Sequence, residues 1–286
     1  MQKLRWGLIG GGEGSQIGFT HRAAAQLEGY FYFDAGALDA DTKQAKKFGK
    51  KLGLSFQKSY GSWEEMLENE KKLKTSERLD LVTVATPNST HFEITKSFLN
   101  EGFNVLCEKP LTMTVEEAQE LVKLAKTVGK ICAVNYGYTG YPLVRQMRSM
   151  VLNGDLGDLR VVFAEFAGGF MADSSDSENP RVKWRFTAKH AGMAAVTIDC
   201  GIHALNMACF VTNKKIVKVS SDFFSGIKSR ELEDDNLSSF RMEDDIAGRL
   251  WTSGLAIGRT HGLTLQVFGS KGGLSWNQEQ PNQLFW

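Results

Sequence analysis

The feature that most restricts what this chain can fold into lies at its start. The apolar run 4–10 passes straight into Gly10-Gly11-Gly12-Glu13-Gly14-Ser15-Gln16-Ile17-Gly18, and a helical pattern through Arg22, Ala25 and Leu27 follows. Strand, glycine loop and helix in immediate succession are the context that a dinucleotide fold requires. Glycine lets the backbone approach a pyrophosphate, and the free N–H groups and dipole of the helix N-terminus attract its charge. Gly10, Gly12, Gln16 and Ile17 are the candidate contacts on this side. The regular G-x-G-x-x-G is not met, because the sixth position from Gly10 is Ser15, so the loop reads as expanded. A glycine run is also a plain flexible turn, and the rest of the chain has to decide.

Residues 30–38 read as a second strand that stops at Asp39. A carboxylate there accepts hydrogen bonds from both ribose hydroxyls of an adenosine and repels a 2′-phosphate, which favours NAD over NADP. Capping of the next helix, 42–52, by Asp39 or Asp41 is compatible with that role. A helix over 60–72 is expected with Trp63, Met66 and Leu67 inward. The uninterrupted apolar run 79–85 suits a parallel sheet covered by helices on both faces. It ends in Thr86-Pro87-Asn88-Ser89-Thr90-His91, which places Thr86, Pro87 and Asn88 at a cleft edge. His91 falls in a first helical turn, where a histidine is more often a satisfied side chain than a proton carrier.

Val105-Leu106-Cys107-Glu108-Lys109-Pro110 drives an apolar strand into a carboxylate, an amine and a proline. Lysine is costly to desolvate, its pKa falls readily when buried, and that suits proton transfer. Glu108 can orient it, and Pro110 biases Lys109 toward extended backbone at the carboxyl end of the strand, where open α/β sheets bind ligands. For the tripeptide alone an ordinary strand-end ion pair is slightly the better reading, and the segments around it shift the balance. Thr114 and Glu117 have capping-box spacing, the helix they open ends at Gly129, and a strand over 130–134 leads to Asn135-Tyr136-Gly137-Tyr138.

Strands and helices alternate to about residue 137, and from Leu159 longer period-two strands take over, with a hairpin about Glu243-Asp244-Asp245. The chain is also too long, at 286 residues, for one small core. The expected fold class is therefore α/β: a doubly wound parallel sheet of the Rossmann type over 1–137, then an α+β domain with a mainly antiparallel, open sheet over 138–286. In that second domain 191–212 is apolar except for Asp199, His203 and Asn206, which fall on one stripe of a helix. Asp–His pairing tunes an imidazole for proton abstraction, and a buried Asp–His bond that only locks the helix is as good a reading. Residues 171–180 are polar and acidic, a surface loop and candidate lid.

A formal net charge of +1 gives no field for nucleic acid or anionic lipid. No apolar run is long and charge-free enough to span a bilayer, and the basic start is too short to be a signal peptide. Cys107, Cys132, Cys200 and Cys209 have no metal or redox spacing and read as reduced core thiols of a cytoplasmic protein, so no metal site is expected.

The glycine loop, Ala85-Thr86-Pro87-Asn88 with His91, Glu108-Lys109-Pro110 and Asp199-x-Gly201-x-His203 occur in this order along the chain. Together they resemble the glucose-fructose oxidoreductase, inositol dehydrogenase and MocA family over essentially its whole length. That resemblance implies a Rossmann domain followed by an α+β domain whose open sheet builds homodimers or homotetramers. It implies NAD, with NADP less favoured, held by Gly10, Gly12, Gln16, Ile17, Asp39, Thr86, Pro87, Asn88, His91, Glu108 and Lys109. It makes Lys109, Asp199 and His203 the catalytic set, with His203 oriented by Asp199 taking a hydroxyl proton and Lys109 bonding the alkoxide.

The substrate class is a sugar, cyclitol or sugar derivative oxidised at a secondary alcohol. Aromatic faces and a guanidinium suit such ligands, so Asn135, Tyr136, Tyr138, Trp184 and Arg185 are candidate substrate contacts, with core packing at least as good a reading of the two tyrosines, Trp184 and Arg185. A redox-neutral, NAD-dependent glycosidase and a non-catalytic sugar sensor are the alternative activities. Relatives of this kind usually continue beyond the apolar end Leu284-Phe285-Trp286, so a truncated chain is expected.

Overall fold

The computed structural model describes residues 3–178 and 183–286. They divide into two units, Met1–Asn135 and Tyr136–Trp286, so Tyr136 belongs to the second unit rather than to the first.

The first unit runs β1 (Leu4–Gly10), α1 (Gln16–Leu27), β2 (Phe31–Ala37), α2 (Thr42–Lys51), α3 (Trp63–Glu70), β3 (Leu81–Ala85), α4 (His91–Asn100), β4 (Asn104–Cys107), α5 (Val115–Val128) and β5 (Cys132–Val134). Its five strands are ordered β2-β1-β3-β4-β5, and every neighbouring pair is parallel. Leu8, Val82, Val84 and Val105 are inaccessible to solvent, as strands covered on both faces require.

Short side chains set where the helices start. Ser15, Asp41, Ser62 and Thr114 each accept a backbone N–H from the first turn. Thr114 and Glu117 form the full capping box, and Gly129 closes α5 in the left-handed region at φ 65°. The helix expected from residue 60 begins instead at Trp63, because Ser62 caps it and the chain just before it is drawn to the sheet by a parallel bridge between Gly36 and Ser59. Strand order reverses between β1 and β3, and ligands of open α/β sheets bind at such a point.

The second unit runs α6 (Pro142–Leu152), β6 (Leu159–Ala167), α7 (Ala188–Ala191), α8 (Ile202–Thr212), β7 (Ile216–Phe224), β8 (Asp235–Met242), β9 (Ala247–Ser253), β10 (Leu263–Gly269), β11 (Gly273–Asn277) and β12 (Leu284–Phe285). The sheet order is β12-β11-β10-β6-β9-β8-β7. All pairs are antiparallel except β6 with β9. Val144 and Met147 of α6 and Met207 and Val211 of α8 pack with Leu265 and Trp276 in one buried core. The opposite sheet face carries Phe163, Leu237 and Phe268, each at least 40% exposed. No helix among the described residues is long and apolar enough to cross a membrane.

One element differs from the expected continuous helix over 191–212. Gly192, at φ 106° and ψ −153°, ends α7, and Thr197–Gly201 is a π-helix leading into α8. Two contacts account for it. The Glu233 carboxylate draws in the N–H groups of Ala195 (2.8 Å) and Thr197 (2.9 Å). Gly201 lies so near β9 that a Cβ there would sit 2.8 Å from Thr252 Oγ1. Both ends of this turn are thus fixed from outside, and a wider turn takes up the extra residue.

Candidate active site

In the first unit the glycine loop forms a cradle that side chains would fill. Gly10, Gly11 and Gly14 have φ of 77°, 65° and 81°, a region that residues with a Cβ rarely adopt. A Cβ on Gly12 would lie 2.5 Å from the Leu38 carbonyl oxygen, and one on Gly18 would lie 2.1 Å from that of Gly11. Gly18 is therefore the glycine that lets α1 close onto the strand, the part a G-x-G-x-x-G gives to its last glycine. The expanded loop keeps the three functions and moves the third. Ser15 accepts from the Gly18 N–H at 3.1 Å and caps α1, while Gln16 and Ile17 are exposed in its first turn. Arg22 ties the helix back by donating to the Gly11 carbonyl at 2.9 Å. The loop fits a dinucleotide phosphate pair, with backbone N–H groups supplying the donors.

Asp39 and Asp41 divide the work that the sequence left open between them. Asp41 caps α2 by accepting from Gln44 N–H. Asp39 accepts from Asp41 N–H through Oδ1 at 2.9 Å, and its Oδ2 faces Gly12, 3.2 Å from where a Cβ would be. A carboxylate oxygen thus stands beside the cradle at the end of β2.

Glu108 is the hub at the end of β4. Its Oε1 receives Asn135 Nδ2 at 2.6 Å and meets His21 Nε2 at 2.8 Å. Burial alone raises its pKa, but the hydrogen bonds from His21 and Asn135 and the charges of His21 and Lys109 outweigh it, so the carboxyl is held below its usual range. Lys109 follows at partial exposure, its backbone N–H 3.3 Å from Glu108 Oε2. Asn135, expected as a substrate contact, has its amide committed to Glu108.

His91 is 1% exposed, with Nδ1 2.7 Å from the Pro110 carbonyl and Nε2 2.9 Å from that of Thr86. Burial lowers its pKa against the pull of both carbonyls. The ring braces the end of β3 to the segment after β4. Thr86 Oγ1 accepts from Thr90 at 2.7 Å, Pro87 opens the short turn Asn88–Thr90, and Asn88 is buried in it.

The second unit gathers the other candidates around His203. The Tyr138 ring stands edge-on to the imidazole at 4.7 Å, Tyr136 edge-on at 6.0 Å, and Phe166 is tilted at 6.2 Å. Burial pushes the Tyr138 phenol up to about 12 and raises Tyr136 as well, so both remain hydrogen-bond donors at neutral pH. Asp199, on the π-helix, accepts from Arg185 Nε at 3.2 Å, and the Arg185 guanidinium lies over the Trp184 ring at 4.7 Å. Asn206, further along α8, keeps a buried Oδ1 that has no hydrogen-bond partner among the described residues. The start of the expected lid is held down: Arg230, fully buried with Asp234, donates to the carbonyls of Met171 (2.5 Å) and Asp173 (2.9 Å). Residues 179–180 of that segment lie outside the described residues.

Sequence reasoning passed over His21 and Glu233. His21 and Gly18 are the two buried residues of α1, and an imidazole on the buried face of a helix calls for a fixed partner; that was the available signal. Glu233 gave none, since its ligands are backbone N–H groups about forty residues away in sequence. The cysteines are free thiols, with Cys107 pushed up to about 12 by burial, and no metal-binding group of side chains occurs among the described residues.

Residues 4–136 match the oxidoreductase family with an NAD-binding Rossmann fold, and residues 144–275 match the GFO/IDH/MocA C-terminal domain. The chain is 37% identical over 285 residues to the uncharacterized oxidoreductase YfiI of Bacillus subtilis, which covers 98% of this chain and 72% of that protein. It is 24% identical over 313 residues to the levoglucosan dehydrogenase of Pseudarthrobacter phenanthrenivorans, covering 99% and 76%. Among solved structures, the inositol dehydrogenase homolog of Azotobacter vinelandii complexed with NADH and myo-inositol is similar at a TM-score of 0.92 and 37% identity, covering 99% of this chain and 72% of that one.

Proposed function

The chain belongs to the GFO/IDH/MocA oxidoreductase family, and on that footing we propose that it is an NAD-dependent dehydrogenase of a secondary alcohol in a cyclitol, sugar or sugar derivative. The glycine cradle with Gln16 and Ile17, the Asp39 carboxylate, the turn Thr86-Pro87-Asn88 and the Glu108-Lys109 corner would hold the dinucleotide. Bound there, NAD supplies the hydride acceptor. The Asp39 side chain beside Gly12 disfavours a 2′-phosphate, so NAD is the cofactor in this reading.

The observation that carries the proposal is the setting of His203, an imidazole enclosed edge-on by two tyrosine rings on the helix that also follows Asp199. His203 takes the proton of the substrate hydroxyl as the C–H bond of the same carbon gives up hydride, and a ketone results. Asp199 holds the charge that His203 acquires, and Arg185 fixes the Asp199 carboxylate. Lys109 donates to the developing alkoxide, a role of the kind often worth a few kcal/mol (~2–4) of barrier. Tyr136, Tyr138 and Trp184 offer faces and donors to a polyhydroxylated ring. Myo-inositol and levoglucosan, which similar proteins handle, are the first substrates to try. The exposed apolar face of the seven-stranded sheet supports assembly into a homodimer or homotetramer.

The test is titration with NAD and NADP by protein fluorescence, then a panel of cyclitols and sugars followed at the NADH absorbance. A rise for one polyol that His203→Ala lowers by about 10²–10⁴ is the expected result. NAD binding without NADH formation across the panel would favour a redox-neutral enzyme or a sensor, and full turnover by both His203→Ala and Lys109→Ala would overturn the assignment of roles.

A further inference from the structure

We propose that β7 is a self-complementary edge through which two copies of this chain pair their sheets in antiparallel register about Ser220. The proposal narrows the sheet-mediated assembly put forward above to one strand.

β7 is the last strand of its sheet, and after Ile216 every one of its residues is exposed, on both faces. Val217, Val219, Phe223 and Phe224 are between 57% and 66% exposed. Such a bare, partly apolar edge is a template for another strand, and proteins usually blunt it with charge. Here the charges do something more specific. Read outward from Ser220, the strand Ile216-Val-Lys-Val-Ser-Ser-Asp-Phe-Phe224 places Val219 against Ser221 and Lys218 against Asp222 when it meets a two-fold copy of itself, and the regular pairing stops at the bulge between Ile216 and Lys218. A foreign strand would leave the Lys218 ammonium without a carboxylate; a second copy supplies one at the matching position, twice.

The backbone agrees with that register. Glu243 N–H donates to the Lys215 carbonyl at one end of the pair, and Asp234 N–H donates to the Phe224 carbonyl at the other. With the bulge between Ile216 and Lys218, the pairing matches Lys218, Ser220, Asp222 and Phe224 to Arg241, Ser239, Leu237 and Asp235. Strand alternation then turns the N–H and C=O groups of those four residues toward β8, and those of Val219, Ser221 and Phe223 away from the sheet. In the two-fold pair Val219 and Ser221 of opposite copies exchange hydrogen bonds. Lys218 and Asp222 meet at a non-hydrogen-bonded position, where side chains lie closest. Within one copy Lys218 stands opposite Arg241, an unfavourable neighbour of like charge, and the partner's carboxylate relieves it.

The experiment measures self-association of the whole chain by analytical ultracentrifugation over a concentration series. Lys218→Asp and Asp222→Lys are each expected to weaken the dimer by about tenfold or more, since each creates two like-charge pairs across the axis. Lys218→Asp also puts a carboxylate opposite Arg241, a favourable neighbour within one copy, and an unchanged unfolding midpoint separates a lost contact from a lost fold. Mixing the two single variants restores a dimer, now hetero, and the double variant associates like the wild type. Val219→Pro, which deletes an outward N–H and leaves the β8 ladder intact, abolishes the pair. A wild-type chain that stays monomeric throughout overturns sheet-mediated assembly as a whole. A dimer that neither charge reversal weakens, or variants that fail to rescue each other, overturn the β7 edge alone and point to the open face.

Discussion

Gly18 and Gly11 approach so closely that any side chain on Gly18 would drive its Cβ to 2.1 Å from the Gly11 carbonyl oxygen. The atom in the way is backbone and α1 has little room to retreat, so Gly18→Ala is expected to destabilise the first unit by about 1–3 kcal/mol. NAD affinity should fall by about tenfold or more as the loop is displaced. Denaturant unfolding and NAD titration of the same preparation check both. Gly14→Ala, where no atom lies within 4 Å of the added Cβ, strains φ alone and serves as the comparison.

His21 and Asn135 converge on one oxygen of Glu108. Removing the imidazole with His21→Leu leaves a buried carboxylate with less to hold it, at a cost of about 1–3 kcal/mol. Because Glu108 titrates below its usual range in the folded chain, its contribution is complete above the unfolded value of about 4.3 and lost as pH falls through the folded one. Glu108→Gln should therefore be less stable than wild type at neutral pH and show a flatter acid limb in unfolding midpoint against pH.

His91 has the same sign at a higher pH. Burial holds its folded pKa below the ordinary histidine value, so the unfolded chain takes up the proton first. Its share of stability is intact above about pH 6.5 and declines as pH drops toward the folded value. His91→Gln is expected to remove the stability slope that begins below about pH 6.5, seen in thermal midpoints across pH 5 to 8.

Glu233 sets the approach to the π-helix by binding two backbone N–H groups. Glu233→Gln turns one acceptor into a donor aimed at a donor, and Glu233→Ala removes both. Each should cost about 1–3 kcal/mol of stability and lower kcat on an accepted polyol while leaving NAD affinity unchanged, since the cradle for NAD belongs to the other unit. Equal kcat in wild type and both variants would show that Asp199 and His203 hold their places without it.

Much of this could be read from residue order because local physics decided it. The capping box at Thr114, the left-handed Gly129 and the apolar β3 each carry their own reason within a few residues. The glycine loop announced a dinucleotide cradle, but its spacing hid that Gly18 closes the helix onto the strand, which depends on how Gly11 curls back. The gathering of Tyr136, Tyr138 and His203 was legible only as residue types, since ring-edge geometry is made by tertiary packing. The break in 191–212 was invisible because its causes, Glu233 and Thr252, lie on other elements. β11, which follows Gly272 and opens on Gly273, and the two-residue β12 were too short to register as strands.

A π-helix is a turn holding one residue more than an α-helix would, and what has been added can be subtracted. Deleting a single residue from Thr197–Gly201 would let the helix run on as regular α, with the segments on either side keeping their phase and only the residues of the turn changing places. His203 would stay beside Tyr138 while Asp199, a residue of the turn itself, would be re-aimed. The wide turn is thus an insertion point where descent can couple or uncouple carboxylate and imidazole in one step, without rebuilding the sheet beneath.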